Sequence, residues 1–335
     1  KMLKTRPFDA VLLIAFGGPQ GPDDVLPFLH NVLRGRKVPA ARVQEVAKHY
    51  DLFDGISPIT KLTQMQAAAL EKSLKHSGNE IPVFVGMRNW HPFIVDTLSH
   101  MSKLGLRRPL GFIMAGHASY SSCEQYRQNV LDARLQLLQR DLADLDVHYV
   151  SSWHTHPDFI NCMTSRVLDA RKRLPSGLAA SARVVFTAHS IPKRMAETSR
   201  YESQLLESCI QTAEAAGASD WRLVYQSRSG NPQDPWLGPD VREYLTAEHS
   251  KGLEAAILCP IGFVTDHVEV LYDLDTEVAA LCQQIQLPMV RARTANDHPT
   301  FIKMMTDVVL STLARYEQCV PLPLATEKAS PRSVK

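Results

Sequence analysis

Long apolar runs are missing from this 335-residue chain. None approaches the ~20 residues that a membrane-spanning helix requires, so no helical span is expected. Cysteine is sparse. The six residues Cys123, Cys162, Cys209, Cys259, Cys282 and Cys319 stand far apart without a CxxC pair. That spacing excludes a disulfide framework, offers no self-evident zinc site and fits a reducing cytoplasm. An excess of one charge is also lacking: 37 Lys and Arg face 35 Asp and Glu, with no basic stripe of the kind a nucleic-acid binder needs. No repeat of short fixed period occurs. Hydrophobic residues at 44% and charged residues at 21% suit a water-soluble globular protein long enough for two domains.

The basic start Lys1 to Pro7 precedes an apolar run, Val11 to Phe16, too short for a signal-peptide core. It reads as a first buried strand. Further short β-branched runs follow at Val83–Gly86, Pro109–Ala115, Val147–Ser151, Arg183–Ala188, Trp221–Gln226 and Ala255–Pro260. Helix-period segments lie between them at Thr63–His76, Ile94–Leu104, Tyr201–Ala216 and Leu274–Ile285. This alternation predicts an α/β protein of two doubly wound, Rossmann-like parallel-sheet halves. Arg173–Leu178 reads as a surface loop, with the hinge between halves near residues 150 to 180. The boundaries expected are 8–150 and 151–296, the first half completed by a C-terminal helix at about 297–318. A tail, 319–335, carries Pro321, Pro323 and Pro331 without periodicity, and is expected to be loosely docked at most.

Two strand ends carry polar groups. Val184 to Thr187 runs into Ala188-His189-Ser190-Ile191-Pro192, placing an imidazole at the carboxyl edge where α/β proteins gather ligands. A hydrogen-bonded structural histidine is the plain alternative. Ile257 to Pro260 leads into Gly262-Phe263-Val264-Thr265-Asp266-His267-Val268-Glu269-Val270-Leu271-Tyr272-Asp273-Leu274-Asp275-Thr276-Glu277. Glu269, Asp273 and Glu277 are four apart, so a helix would place three repelling carboxylates on one face, which a cation would relieve. A solvated acidic face is the alternative there. Carboxylate with imidazole suits Fe²⁺ or Zn²⁺, so the donors do not name the metal. Phe16-Gly17-Gly18-Pro19-Gln20-Gly21-Pro22 is no GxGxxG, and its prolines lack N–H donors, so nucleotide binding is not expected. His91, His154 and His156 sit at loop-like positions and read as structural or exposed.

From Phe16-Gly17-Gly18-Pro19 to about residue 315 the chain resembles the ferrochelatases. The TAHSIP-like motif is matched at Thr187 to Pro192, and GFxxDHxEVLYDxDxE at Gly262 to Glu277. The resemblance implies a class II chelatase-like fold and a lyase that inserts Fe²⁺ into a porphyrin for haem biosynthesis. It implies His189 and Glu269 as the catalytic and metal-contacting pair, and Asp273 and Glu277 as a path for metal or protons. It also suggests Phe16, Arg34, Tyr50, Ser57, Tyr126 and Ser227 as porphyrin contacts, with cationic and hydroxyl donors receiving propionates.

Wording such as Asn89-Trp90 and Tyr120-Ser121-Ser122-Cys123 is most similar to actinobacterial members of the coproporphyrin III branch. Many Gram-positive members have a tyrosine where this chain has Phe16, which offers no oxygen to product iron. Some actinobacterial members hold a [2Fe-2S] cluster. Four ligands are needed for one, and only Cys123 and Cys319 fall in place, so no cluster and no other resident cofactor is expected. The implied partners are coproporphyrin III, Fe²⁺ as substrate and transient contact with neighbouring haem-pathway enzymes, without nucleic acid. Protoporphyrin IX insertion, a non-catalytic tetrapyrrole carrier and a cobalt or nickel chelatase are the alternatives.

Overall fold

The computed structural model describes residues 6–229 and 233–318. Strands β1 (Ala10–Ala15), β2 (Val83–Met87), β3 (Pro109–Ile113) and β4 (His148–Tyr149) form one sheet in the order β2-β1-β3-β4. Strands β5 (Arg183–His189), β6 (Trp221–Gln226), β7 (Ala256–Cys259) and β8 (Met289–Arg291) form a second in the order β6-β5-β7-β8. Every ladder is parallel, and the two halves repeat one topology. The fold is thus two doubly wound α/β halves.

Alternation along the strands sorts side chains into layers. Leu12 and Ile14 pack under Ile94, Leu98, Val130 and Leu137, whereas Val11 and Leu13 meet Leu70, Leu74 and Phe159 on the opposite face. In the second sheet Val185 faces Leu245, Val270 and Leu274, while Val184 and Phe186 join the same core as Val11 and Leu13. Both sheets therefore share one inner core. Helix Pro299–Gln318 reaches back into it: Thr306 donates to Ser73 at 2.8 Å, and the Tyr316 ring meets Phe8 edge-on at 4.8 Å.

Several elements depart from the sequence pattern. Arg173–Leu178 is not wholly a loop, since Ser176–Ala179 closes a helical turn, and helix Pro157–Arg171 fills much of the expected hinge. The fourth strand shrinks to His148–Tyr149 because it pairs on one side only, with β3. Strand β8, three residues after Pro288, escapes a pattern search because an edge strand that short has no periodicity to show. Leu274–Ile285 is not one α-helix. A π-helical stretch, Asp273–Val278, follows the α-helical turn Val268–Tyr272 and precedes Ala279–Gln284. Cys319 and the tail lie outside the described residues.

Candidate active site

Strand order reverses between β1 and β3 and again between β5 and β7, leaving a crevice beyond the carboxyl ends at each point. His189 closes β5 at one of them. Glu269 stands opposite, on the turn that follows β7, and its neighbours Val268 and Val270 are buried anchors. Gly262 lets that connection pass close to β5: a β-carbon there would lie 2.6 Å from that of Ala188. The imidazole and the carboxylate are thereby brought to 3.7 Å, both part-exposed.

The Nδ1–H of His189 donates to the Ser190 carbonyl at 2.5 Å, because a carbonyl can only accept. In the neutral ring Nε2 then carries the lone pair, and it faces Glu269 Oε1. Burial disfavours the imidazolium, but the Glu269 carboxylate outweighs that and raises the His189 pKa above the ordinary 6.5. Glu269 itself is pushed up by burial yet held well below the usual carboxylate range by His189 and by His267, whose Nε2 lies 3.4 Å away.

Asp273 shows the opposite balance. Burial and the neighbouring Glu269 charge raise it to about 6, against a hydrogen bond donated by Ser227 and a weaker one at 3.4 Å from Gln226. Glu277 is not a free rung of an acidic ladder. Its carboxylate is paired with Arg242 at 3.4 Å. Among the described residues no three His, Cys, Asp or Glu side chains converge to hold a metal ion. The two donors His189 and Glu269 leave most of a coordination sphere open, as suits an ion in transit.

The remaining sequence candidates fall at different depths. Phe16 and Tyr50 come together around Phe28, with ring centroids 6.2 and 5.9 Å from it, in an apolar cluster that also takes Val268 and Tyr272 from the second half. Burial raises the Tyr50 hydroxyl, and the charges of Glu269 and Asp273 raise it further, so this phenol is a neutral donor. Tyr126 is buried with the Arg88 guanidinium 5.8 Å above its ring. Arg34 is exposed and donates to Asn31 at 2.9 Å. Ser57 is only 3% exposed, its β-carbon filling the space beside Gly18, so the structure places it beneath the surface. The Ser227 hydroxyl is spent on Asp273 instead of lying free for a propionate.

Sequence reasoning passed over three neighbours. His267 was visible in the motif spacing but not singled out. Arg242 pairs with Glu277 across 35 positions, which no local pattern reveals. Arg88, at the end of β2, is half-buried and has no carboxylate partner among the described residues. Its two-residue offset from Trp90 carries no signal of its own. His154 and His156 are structural, tied to Glu207 at 2.9 Å and to Asp307 at 3.0 Å.

A family model, ferrochelatase, matches residues 8–313. The chain belongs to the ferrochelatase family. A ferrochelatase from Rhodopirellula baltica is 45% identical over 95% of this chain and 90% of its own length. A coproporphyrin III ferrochelatase from Streptomyces coelicolor is 40% identical over 98% of this chain and 92% of its own length. Among solved structures, SirB from Bacillus subtilis with Fe³⁺ superposes with a TM-score of 0.56 at 12% identity, covering 92% of this chain and 96% of that one. At that identity the likeness concerns the fold, a chelatase architecture of two parallel-sheet halves. As a ferrochelatase, the chain is a lyase that inserts metal into a porphyrin, and no described helix is long and apolar enough to cross a membrane.

Proposed function

We propose that this chain inserts Fe²⁺ into coproporphyrin III to give iron coproporphyrin III, with His189 and Glu269 at the point of insertion. The observation that carries the site is the imidazole Nε2 turned toward a carboxylate at 3.7 Å, at the β5/β7 switch point, both groups part-exposed. Insertion replaces two pyrrole N–H bonds with bonds to iron and releases two protons. Neutral His189 takes the first at Nε2, since its raised pKa makes it the better base of the pair. Glu269 is a poor proton sink because the two imidazoles hold it ionised, so its part is to stabilise the imidazolium and attract Fe²⁺. Asp273, titrating near 6, is the next group able to hold a proton and pass it outward.

The coproporphyrin assignment rests on charge and on relatives. Arg88 and the exposed Arg34 are guanidinium groups without a carboxylate partner among the described residues, and each suits a propionate. Several relatives at about 40% identity are coproporphyrin III ferrochelatases, from Streptomyces and Mycolicibacterium. Phe16 and the Tyr50 ring would supply apolar surface beside the macrocycle. The reading includes no iron-sulfur cluster. Burial pushes the thiols of Cys162, Cys209, Cys259 and Cys282 up, away from the thiolate that a cluster requires.

The test is anaerobic turnover of purified protein with Fe²⁺ and either coproporphyrin III or protoporphyrin IX in matched detergent. Higher kcat/KM for coproporphyrin III is expected, and the reverse preference would overturn the substrate assignment. His189→Ala should lose turnover while still binding porphyrin, by quenching of porphyrin fluorescence. Turnover at the normal rate in that variant would remove His189 from the site.

A further inference from the structure

The ring of His189 is aimed by its surroundings. Its Nδ1–H is held on the Ser190 carbonyl, just past the end of β5, where the backbone stays extended. Three hydrogen bonds hold that strand end, one of them the last of the β5–β6 ladder. The Tyr201 hydroxyl donates to the His189 carbonyl at 2.8 Å. The Ser190 N–H donates to the Gln226 carbonyl at 2.8 Å, and the Ser190 hydroxyl donates to the Leu237 carbonyl at 2.7 Å. Tyr201 is 6% exposed and Ser190 2%, so water cannot readily replace either bond.

We propose that Tyr201 and Ser190 are positioning residues for metal insertion, fixing the strand end that keeps Nδ1 of His189 protonated and Nε2 open toward Glu269. This rests on the proton-accepting role given to His189. Tyr201 opens helix Tyr201–Ala215, which is anchored a turn later: the Gln204 side chain accepts from the Ala118 N–H at 2.7 Å, and Ser208 meets His117 Nε2 at 2.9 Å. The helix therefore ties His189 to the strand end and π-helical turn of the first half, Tyr120–Glu124, that lead to Tyr126. Neither Tyr201 nor Ser190 is placed to touch the reacting nitrogens, so both act through the histidine.

Phenylalanine at 201 preserves the ring and removes one oxygen. Tyr201→Phe and Ser190→Ala are each expected to lower kcat by roughly ten- to hundredfold, the cost of displacing a reacting group by about an ångström. KM for porphyrin and for Fe²⁺ should stay within about twofold, since binding surfaces are untouched. ¹⁵N NMR of histidine-labelled protein supplies the decisive readout at alkaline pH, where the ring is neutral. The His189 resonances, identified as those absent from His189→Ala, should report one Nδ1–H tautomer in the parent and a mixture in Tyr201→Phe. Reduced kcat with an unchanged tautomer, or an unchanged kcat in both variants, would overturn the positioning role. An active His189→Ala would instead remove the reading on which it rests. Ser190→Thr, which keeps the hydroxyl, should restore more of kcat than Ser190→Ala, and a lowered melting temperature with unaltered kcat would mark Tyr201 and Ser190 as merely structural.

Discussion

Asp273 titrates near 6 because burial and the Glu269 charge oppose its ionisation more than Ser227 and Gln226 favour it. Ser227 reaches it from a left-handed backbone conformation, φ 62°, unusual for a non-glycine residue and consistent with a hydroxyl held to a purpose. The hydroxyl donates to the charged carboxylate, so its loss must favour the protonated form. Ser227→Ala should therefore raise the Asp273 pKa further above about 6, as followed by ¹³C NMR of labelled aspartate. A fall or no movement would show that the hydrogen bond does not form in solution. His189 gives a second dependence. It must be neutral to accept a pyrrole proton, and its pKa lies above 6.5, so kcat/KM should climb with pH through a group titrating above that value. An acid limb centred below 6.5 would contradict the coupling to Glu269.

The connection from β7 to the Glu269 turn works because one residue in it lacks a side chain. Gly262 donates its N–H to the Thr187 carbonyl at 3.1 Å, beside Ala188 and two residues short of His189. Gly262→Ala would press a methyl group against the backbone and β-carbon of Ala188, neither of which can swing aside as a flexible side chain would. Overpacking of this kind costs about 1 to 3 kcal/mol. We expect a lower denaturation midpoint together with a drop in kcat, since the pushed strand end carries His189. Loss of stability with wild-type kcat would mean that the two strand ends move as one body. The π-helical stretch Asp273–Val278 belongs to the same scale: it changes the helical register between Asp273 and Glu277, so these carboxylates do not repeat the α-helical spacing that their sequence suggests. One turns to Ser227 and the other to Arg242.

Across the molecule, the halves are joined by a core that neither owns. Phe301, fully buried on the C-terminal helix, lies 5.9 Å from the Trp153 ring and 6.4 Å from Phe159, and Trp153 in turn lies 5.9 Å from Phe112 of β3. Phe301→Ala should cost about 3 to 5 kcal/mol, as for other buried aromatic truncations. Because the cluster touches both sheets, tryptophan fluorescence and far-UV circular dichroism should still report one coincident unfolding transition. Two separated transitions would show that the halves fold independently.

What the sequence determined alone was whatever depends on local pattern. Strands such as β1 and β7 are continuous apolar runs because parallel sheets are covered on both faces, and His189 and Glu269 could be picked out because each sits in a dense motif that begins in a strand or at its end. What only the tertiary structure decided was which group meets which. Ser227 and Asp273, Arg242 and Glu277, Tyr201 and the His189 carbonyl are remote or out of phase in the chain, and side chains acquire pKa values and hydrogen-bond partners from neighbours in space. The three-residue strand β8 and the π-helical register were hidden for a related reason. Pairing to β7 defines the one, and five-residue backbone bonding the other, and neither leaves a periodic trace in side-chain polarity.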